Sequence, residues 1–419
     1  MAETYSGGPA LDQTPRGRRV DLDWIRIGAF GLLILYHLAM YFGPWSWHLD
    51  SRERVQWVGV AMVASNPWRL GLLFLISGVA VRHMTLKADR DGAGPRSLML
   101  DRSRRLLVPL LFGVIVLVPP QAYFEQVVKD GLQAGYLAFW PRFLAAHLPK
   151  LHGGWSSPPL NHLWFIGYIW AYSLIAVALM WLPRLLRLAE GRLAAALAGA
   201  GVLVTPILYL VTVRFALFPT FGVTNHLTWD PYNHAASLAL FLTGFLLALQ
   251  PSFWTSVERV RWPALALAAA ATTVLGFDAA KPVPLQHPRA AAEMAAFAVA
   301  QWSTIVAVLG FGRRHLSRLD GPALAYLREA VFPFYLLHQT IIVVAAYALR
   351  PLALTNSLEA VVLLAATVVG CVAGYEIARR TPYLGPCLGL RPTPWPRRGP
   401  QAAPVDLPLR QAGNLPATE

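Results

Sequence analysis

Two side chains that can carry charge, Arg26 near the start and His37 two-thirds of the way along, share one face of the largely apolar stretch LDWIRIGAFGLLILYHLAMYF. At about 100° per residue, the eleven residues between them make three turns plus roughly 20°, so both lie on one stripe about 16 Å apart along the axis. Ionisable groups within a bilayer helix are costly and usually face an interior cavity, where they mark function. His37 can act as a general base near neutral pH, or as a structural hydrogen-bonding group between helices. Arg26 can clamp an anionic ligand, or reach to the interface as an anchor.

Five further segments carry polar groups at telling positions. NPWRLGLLFLISGVAVR opens with Arg69 and holds Ser77 and Gly78 near its far end; small residues there allow close helix approach. DRSRRLLVPLLFG contributes Arg102 and Arg105, a cluster that orientation alone would produce and that phosphates would also need. NHLWFIGYIWAYSL puts His162 and Trp164 at the rim of an apolar run, and NHLTWDPYNH packs Trp229, Asp230 and Tyr232 ahead of another. Aromatic faces with a carboxylate suit a sugar; an interfacial belt with a turn at Asp230-Pro231 accounts for them equally well. FPFYLLHQTIIVV sets Tyr335 and His338 three apart on one helical face.

Positioning these groups requires membrane helices. The 419 residues are 56% hydrophobic and only 14% charged, against about 25% charged in an ordinary soluble chain. Ten apolar stretches of spanning length fall near 22–43, 64–84, 104–122, 162–182, 193–213, 233–250, 262–279, 289–311, 326–349 and 357–378. The apolar segment 55–66 either lengthens the second or lies along the interface. The expected fold is an all-α polytopic membrane protein of about ten transmembrane helices, with a polar leader over 1–20, a membrane domain over 21–380 and a proline-rich tail over 381–419. Of the 36 Lys and Arg, 25 fall in one set of alternate loops with the two ends, 9 in the other set, and Arg26 and Arg69 within spans. By the positive-inside rule both termini are cytoplasmic. The net charge of +14 is spread over short loops without a basic, aromatic-interleaved stripe, so nucleic acid is not an expected partner. Cys371 and Cys387 have no metal-ligand spacing, and no metal is expected.

Taken together these segments resemble the acyltransferase-3 family of integral membrane enzymes. The resemblance lies in LDWIRIGAFGLLILYH, RLGLLFLISG, RRLLVP, HLWFIGY, FLTGFLLA around Phe241 and Gly244, and FPFYLLHQTII, in that order over about residues 20 to 380. It is greatest to members that succinylate periplasmic glucans. The resemblance implies transfer of an acyl group, succinyl or acetyl, from cytoplasmic acyl-coenzyme A to a hydroxyl of an extracytoplasmic glycan, in the bacterial inner membrane. It implies His37 as catalytic base with Arg26 in the cavity or donor site, and Arg102 and Arg105 on the donor. Acyl-CoA is then a substrate, and no permanently bound cofactor is expected. Ser77 joins the expected donor site; Arg69, His162, Trp164, Trp229, Asp230 and Tyr232 form the expected acceptor side; Tyr335 and His338 line the cavity. Many relatives add an extracytoplasmic hydrolase-like domain, whereas the longest loop expected here on that side, about 40 residues from 122 to 161, carries no GxSxG-type nucleophile. A transporter or flippase for a glycan is the competing class, but no inverted repeat is apparent. Oligomeric state is not set by these features.

Overall fold

Among the residues described by the computed structural model, 18–147, 160–280, 284 and 287–391, every regular element is helical. The expected leader, apart from residues 18–20, and the tail beyond 391 lie outside the described residues. The chain runs through α1 (Val20–Phe42), α2 (Gln56–Val63), α3 (Arg69–Arg90), α4 (Pro95–Phe112), α5 (Val118–Lys129), α6 (Tyr136–His147), α7 (Trp164–Ala178) and α8 (Pro183–Ala196). It continues through α9 (Gly201–Phe221), α10 (Pro231–Leu247), α11 (Pro251–Arg259), α12 (Arg261–Ala280), α13 (Pro288–Leu316), α14 (Pro322–Leu349), α15 (Asn356–Arg380) and α16 (Leu384–Cys387). Six of these helices, α4, α8, α10, α11, α13 and α14, begin on proline. Its fixed φ suits a first turn, where its missing N–H would have had no partner.

Eight helical spans among the described residues are long and apolar enough to cross a bilayer, and a ninth arises if α10 and α11, bent by 117°, count as one. All ten expected stretches are helical, yet two fall short as spans. α10 stops at Leu247 and turns into α11, and the apolar part of α12 ends at Phe277. The third span runs on to Lys129 through a π-turn at Gly113–Leu117, and α6 follows it, so the described part of the expected long loop is largely helical. Pro119 cannot donate to the carbonyl of Ile115; Trp140 Nε1 does so instead at 2.8 Å.

Three boundaries differ from expectation for visible reasons. Segment 55–66 neither lengthens α3 nor continues it: α2 ends at Val63 and a turn intervenes. The fifth span, expected at 193–213, is α9, displaced toward the C-terminus because Gly199, in the left-handed region at φ 55°, breaks the chain after α8. Arg214, counted above among loop residues, therefore sits inside α9 and is only 4% exposed. The start of the expected tail folds back as α16, burying Leu388 and Leu390.

The bundle is organised around α1, which packs against α3, α13 and α14, while α3 packs along α10. The α3–α10 crossing is backbone to backbone. A Cβ on Gly78 would sit 1.9 Å from the carbonyl oxygen of Phe241, and one on Gly244 would sit 2.0 Å from that of Leu75. In lipid, where apolar burial drives helix association little, such close van der Waals approach is a main source of cohesion. Two ends can be named. The arginine end gathers the start of α1, the end of α3 and the start of α14. The aromatic end gathers the end of α1 and the starts of α3, α7, α10 and α13.

Candidate active site

His37 on α1 and His338 on α14 meet across the bundle, with Nδ1 of His37 2.9 Å from Nε2 of His338. Nδ1 of His338 lies 2.6 Å from the backbone carbonyl of Tyr335, so it carries the proton and donates it there. The Nε2 of a neutral His338 is then an acceptor, and His37 donates to it from Nδ1. That leaves the Nε2 lone pair of His37 with no hydrogen-bond partner among the described residues. His338 has no exposed surface and His162 only 5%, whereas His37 keeps some. The pair has the logic of a catalytic dyad, with one imidazole orienting the other in a single tautomer and the second presenting a base.

A third imidazole borders the pair. The ring of His162 lies 5.1 Å from that of His338 and 6.4 Å from that of His37. Its Nε2 donates to the carbonyl of Leu336 at 3.1 Å, which leaves its buried Nδ1 unpartnered. The Tyr335 hydroxyl donates to the His162 carbonyl. Asn161, in the left-handed region at φ 43°, makes the turn that brings His162 into the bundle. On the aromatic-end side, Gln339 Nε2 is 3.0 Å from both Gln121 Oε1 and His48 Nε2, and His48 pairs through Nδ1 with Glu125 at 2.5 Å. This network anchors the loop carrying Trp47, whose ring is nearly parallel to that of His37 at 6.4 Å.

Toward the arginine end a cavity of about 660 Å³ is lined by Arg26, Ser77, Arg102, Arg105, Arg328 and Arg391, with Glu329 the one carboxylate among the described residues of its lining. The expected donor residues are thus together, and Arg26 belongs with them rather than beside His37. Arg26 is held by Asp23 at 3.5 Å and its buried Nε is unpartnered; Arg102 Nε donates to Ser173 at 3.3 Å. Phe30 and Phe165 close the inner end of the cavity. The Phe30 ring lies 5.2 Å from Tyr335, whose own ring is 5.9 Å from His338. One aromatic layer therefore separates the basic cavity from the imidazoles.

The expected acceptor residues do not form one rim. His162 sits with the imidazoles. Arg69 is 3% exposed, its guanidinium 3.4 Å from the centre of the Tyr36 ring. Trp229 is 65% exposed and lies beside Phe221. Asp230 is 1% exposed, so the expectation of a carboxylate open to sugar hydroxyls is corrected. Its oxygens accept from Tyr168 at 2.8 Å, the amide of Asn225 at 2.9 Å, Asn233 at 3.1 Å and the amide of Thr224 at 3.3 Å. Tyr232 is buried and accepts from Arg214 at 2.8 Å, and with Trp164 it lines a separate cavity. In the sequence Arg328 and Arg391 stand out only as orientation charges, and nothing there marks the Gln121–Gln339–His48 network as one group. The one available signal was that glutamines so deep in apolar runs need partners. No group of three His, Cys, Asp or Glu among the described residues is placed to hold a metal ion.

An all-helical membrane bundle with paired imidazoles above a basic cavity defines a class of intramembrane enzyme, and the comparisons with known proteins agree. The acyltransferase-3 family model, described as an acyltransferase domain, matches residues 19–376, and the chain belongs to that family. Among curated proteins it is similar to glucans biosynthesis protein C of Salmonella gallinarum, 24% identical over 175 residues that make up 42% of each chain. It is likewise similar to the proteins of that name from Escherichia coli (24%) and Salmonella heidelberg (25%), over 156 residues and 37% of each chain. The matched part thus spans about two fifths of those relatives' length. No solved structure matches the chain.

Proposed function

We propose that this protein is a membrane O-acyltransferase that moves a succinyl or acetyl group from acyl-coenzyme A, bound in the arginine-lined cavity, to a hydroxyl of a glycan arriving from the aromatic end. The observation that carries the reading is the free Nε2 of His37, held in one tautomer by His338 and the Tyr335 carbonyl. His37 takes the proton of the acceptor hydroxyl as its oxygen attacks the thioester carbonyl. The C–S bond breaks, and the leaving thiolate of coenzyme A takes that proton from His37. Arg26, Arg102, Arg105, Arg328 and Arg391 supply forked donors for the phosphates of the donor, and Ser77 lines the same path. The acyl end passes the Phe30–Phe165 layer to reach the imidazoles. The excess of Lys and Arg in the loops of the arginine end supports a cytoplasmic location for that end and for both termini, in a bacterial inner membrane.

The test uses the full chain, purified in detergent, with succinyl- or acetyl-CoA and a gluco-oligosaccharide. Free thiol is measured with and without the saccharide. Saccharide-dependent release is expected, and His37→Ala should lower it by about 10²–10⁴-fold, the contribution of a general base. Activity within threefold of the parent would remove His37 from the chemistry.

A further inference from the structure

At the aromatic end, a cavity of about 400 Å³ opens between α3, α9, α10, α12 and α13, separate from the basic cavity. Its size falls within the range of about 300–1,000 Å³ typical of small-ligand sites. Two polar side chains more than nine-tenths buried face it without their full complement of partners. Arg214 is 4% exposed; its Nη1 donates to Tyr232 at 2.8 Å, while its buried Nε has no partner. Gln301 is 8% exposed, and its amide makes no hydrogen bond among the described residues. A buried donor left unmade costs about 1–3 kcal/mol; the Nε of Arg214 is such a donor, and with the unpartnered amide of Gln301 lining the same void it indicates a place kept for a polar ligand.

The lining also limits what that ligand is. Glu293 faces the same cavity as Arg214, so both signs of charge are present and an isolated phosphate or sulfate is disfavoured. Asn66 adds an amide, and Trp164, Phe218 and Phe297 add apolar faces. Arg, Glu and two amides beside aromatic rings match a neutral polyol, whose hydroxyls both donate and accept and whose C–H faces stack on rings. The cavity also adjoins the imidazole site. Asn66 accepts from the hydroxyl of Tyr36 at 3.3 Å, and the Tyr36 ring lies 6.1 Å from that of His37.

We propose that this cavity is a second saccharide subsite, which grips sugar residues of the acceptor chain away from the hydroxyl that reacts at His37. It rests on the reading of the acceptor as a glycan. Arg214 and Gln301 donate to sugar oxygens, Glu293 accepts from hydroxyls, and Trp164 provides a stacking face.

Binding without turnover tests it. A fluorescently labelled gluco-hexasaccharide is titrated into the full chain in phosphatidylcholine nanodiscs, without acyl donor. Acyl-CoA binding is measured on the same preparations. Gln301→Leu, nearly isosteric and suited to an apolar surround, and Arg214→Gln should each weaken hexasaccharide binding at least fivefold and leave acyl-CoA binding unchanged. Should Arg214→Gln fail to fold, Gln301→Leu decides alone. Absence of hexasaccharide binding to the parent, or unchanged binding in folded Gln301→Leu, overturns the proposal. So does displacement of the saccharide from the parent by inorganic phosphate or by phosphatidylglycerol in the nanodisc, which would make the occupant an anion. Because no acyl transfer is measured, the subsite can fail while catalysis stands, and catalysis can fail while the subsite stands.

Discussion

Replacing His338 by Phe keeps a flat ring in a site with no exposed surface and removes the acceptor that His37 Nδ1 reaches at 2.9 Å. His37 can then keep its proton on Nδ1, leaving a buried donor unmade at a cost of about 1–3 kcal/mol. Otherwise it moves the proton to Nε2 and loses the lone pair that acts as base. Either way the productive state lies about 1–3 kcal/mol higher, which at 1.36 kcal/mol per decade predicts a fall in kcat of about 5- to 150-fold. The KM for acyl-CoA should be unaffected, since His338 does not line the basic cavity. His338→Gln should recover most of the loss, because a glutamine amide oxygen can occupy the place of Nε2, whereas the shorter His338→Asn should not. In a His37→Ala background, His338→Phe should cost nothing further, as expected for residues that act as one unit. The assay is free-thiol release by purified protein of normal yield. His338→Phe within threefold of the parent, or full additivity with His37→Ala, would refute the orienting role.

Other consequences are as direct. The Arg102→Ala/Arg105→Ala double variant should raise the KM for acyl-CoA more than that for saccharide and make donor binding less salt-sensitive, as screening of exposed charge–phosphate contacts requires; an unchanged donor KM would leave these arginines as orientation signals. Gly78→Ala should lower thermal stability in detergent by at least the ~1–3 kcal/mol of an overpacked core. Its Cβ would meet the Phe241 carbonyl at 1.9 Å, and backbone cannot turn aside; Gly28→Ala, with nothing within 4 Å, should be neutral or slightly stabilising. A cysteine replacing Trp229, which is 65% exposed, should react with a membrane-impermeant thiol reagent added from the periplasmic side. Labelling only from the cytoplasm would invert the proposed topology.

The sequence determined the class of this protein and singled out His37, the base of the proposed reaction. An apolar chain with few charges has to place its rare ionisable groups in helices that bury them, so His37 and Arg26 stood out without any tertiary information. Helix starts at Pro95 and Pro183 follow from a local property of proline, which the apolar runs expected from 104 and 193 do not reflect. Close approach of a helix to α3 was foreshadowed by Gly78, although nothing local says that α10 is the helix or that the Phe241 carbonyl is what it meets. What required the tertiary structure was every relation between helices. Arg26 and His37 share a stripe, yet they serve different places, because an aromatic layer from α1, α7 and α14 comes between them. The proton on His37 is assigned by His338, 301 residues away. Asp230, exposed by every local criterion, is consumed by Tyr168 and the amides of its own loop. Arg214 moved from a loop to a buried cavity wall because a left-handed glycine shifted one helix start. Periodicity reports which residues lie on one face of a helix. Which face meets which is decided by packing, and the chemistry proposed here occurs where those faces meet.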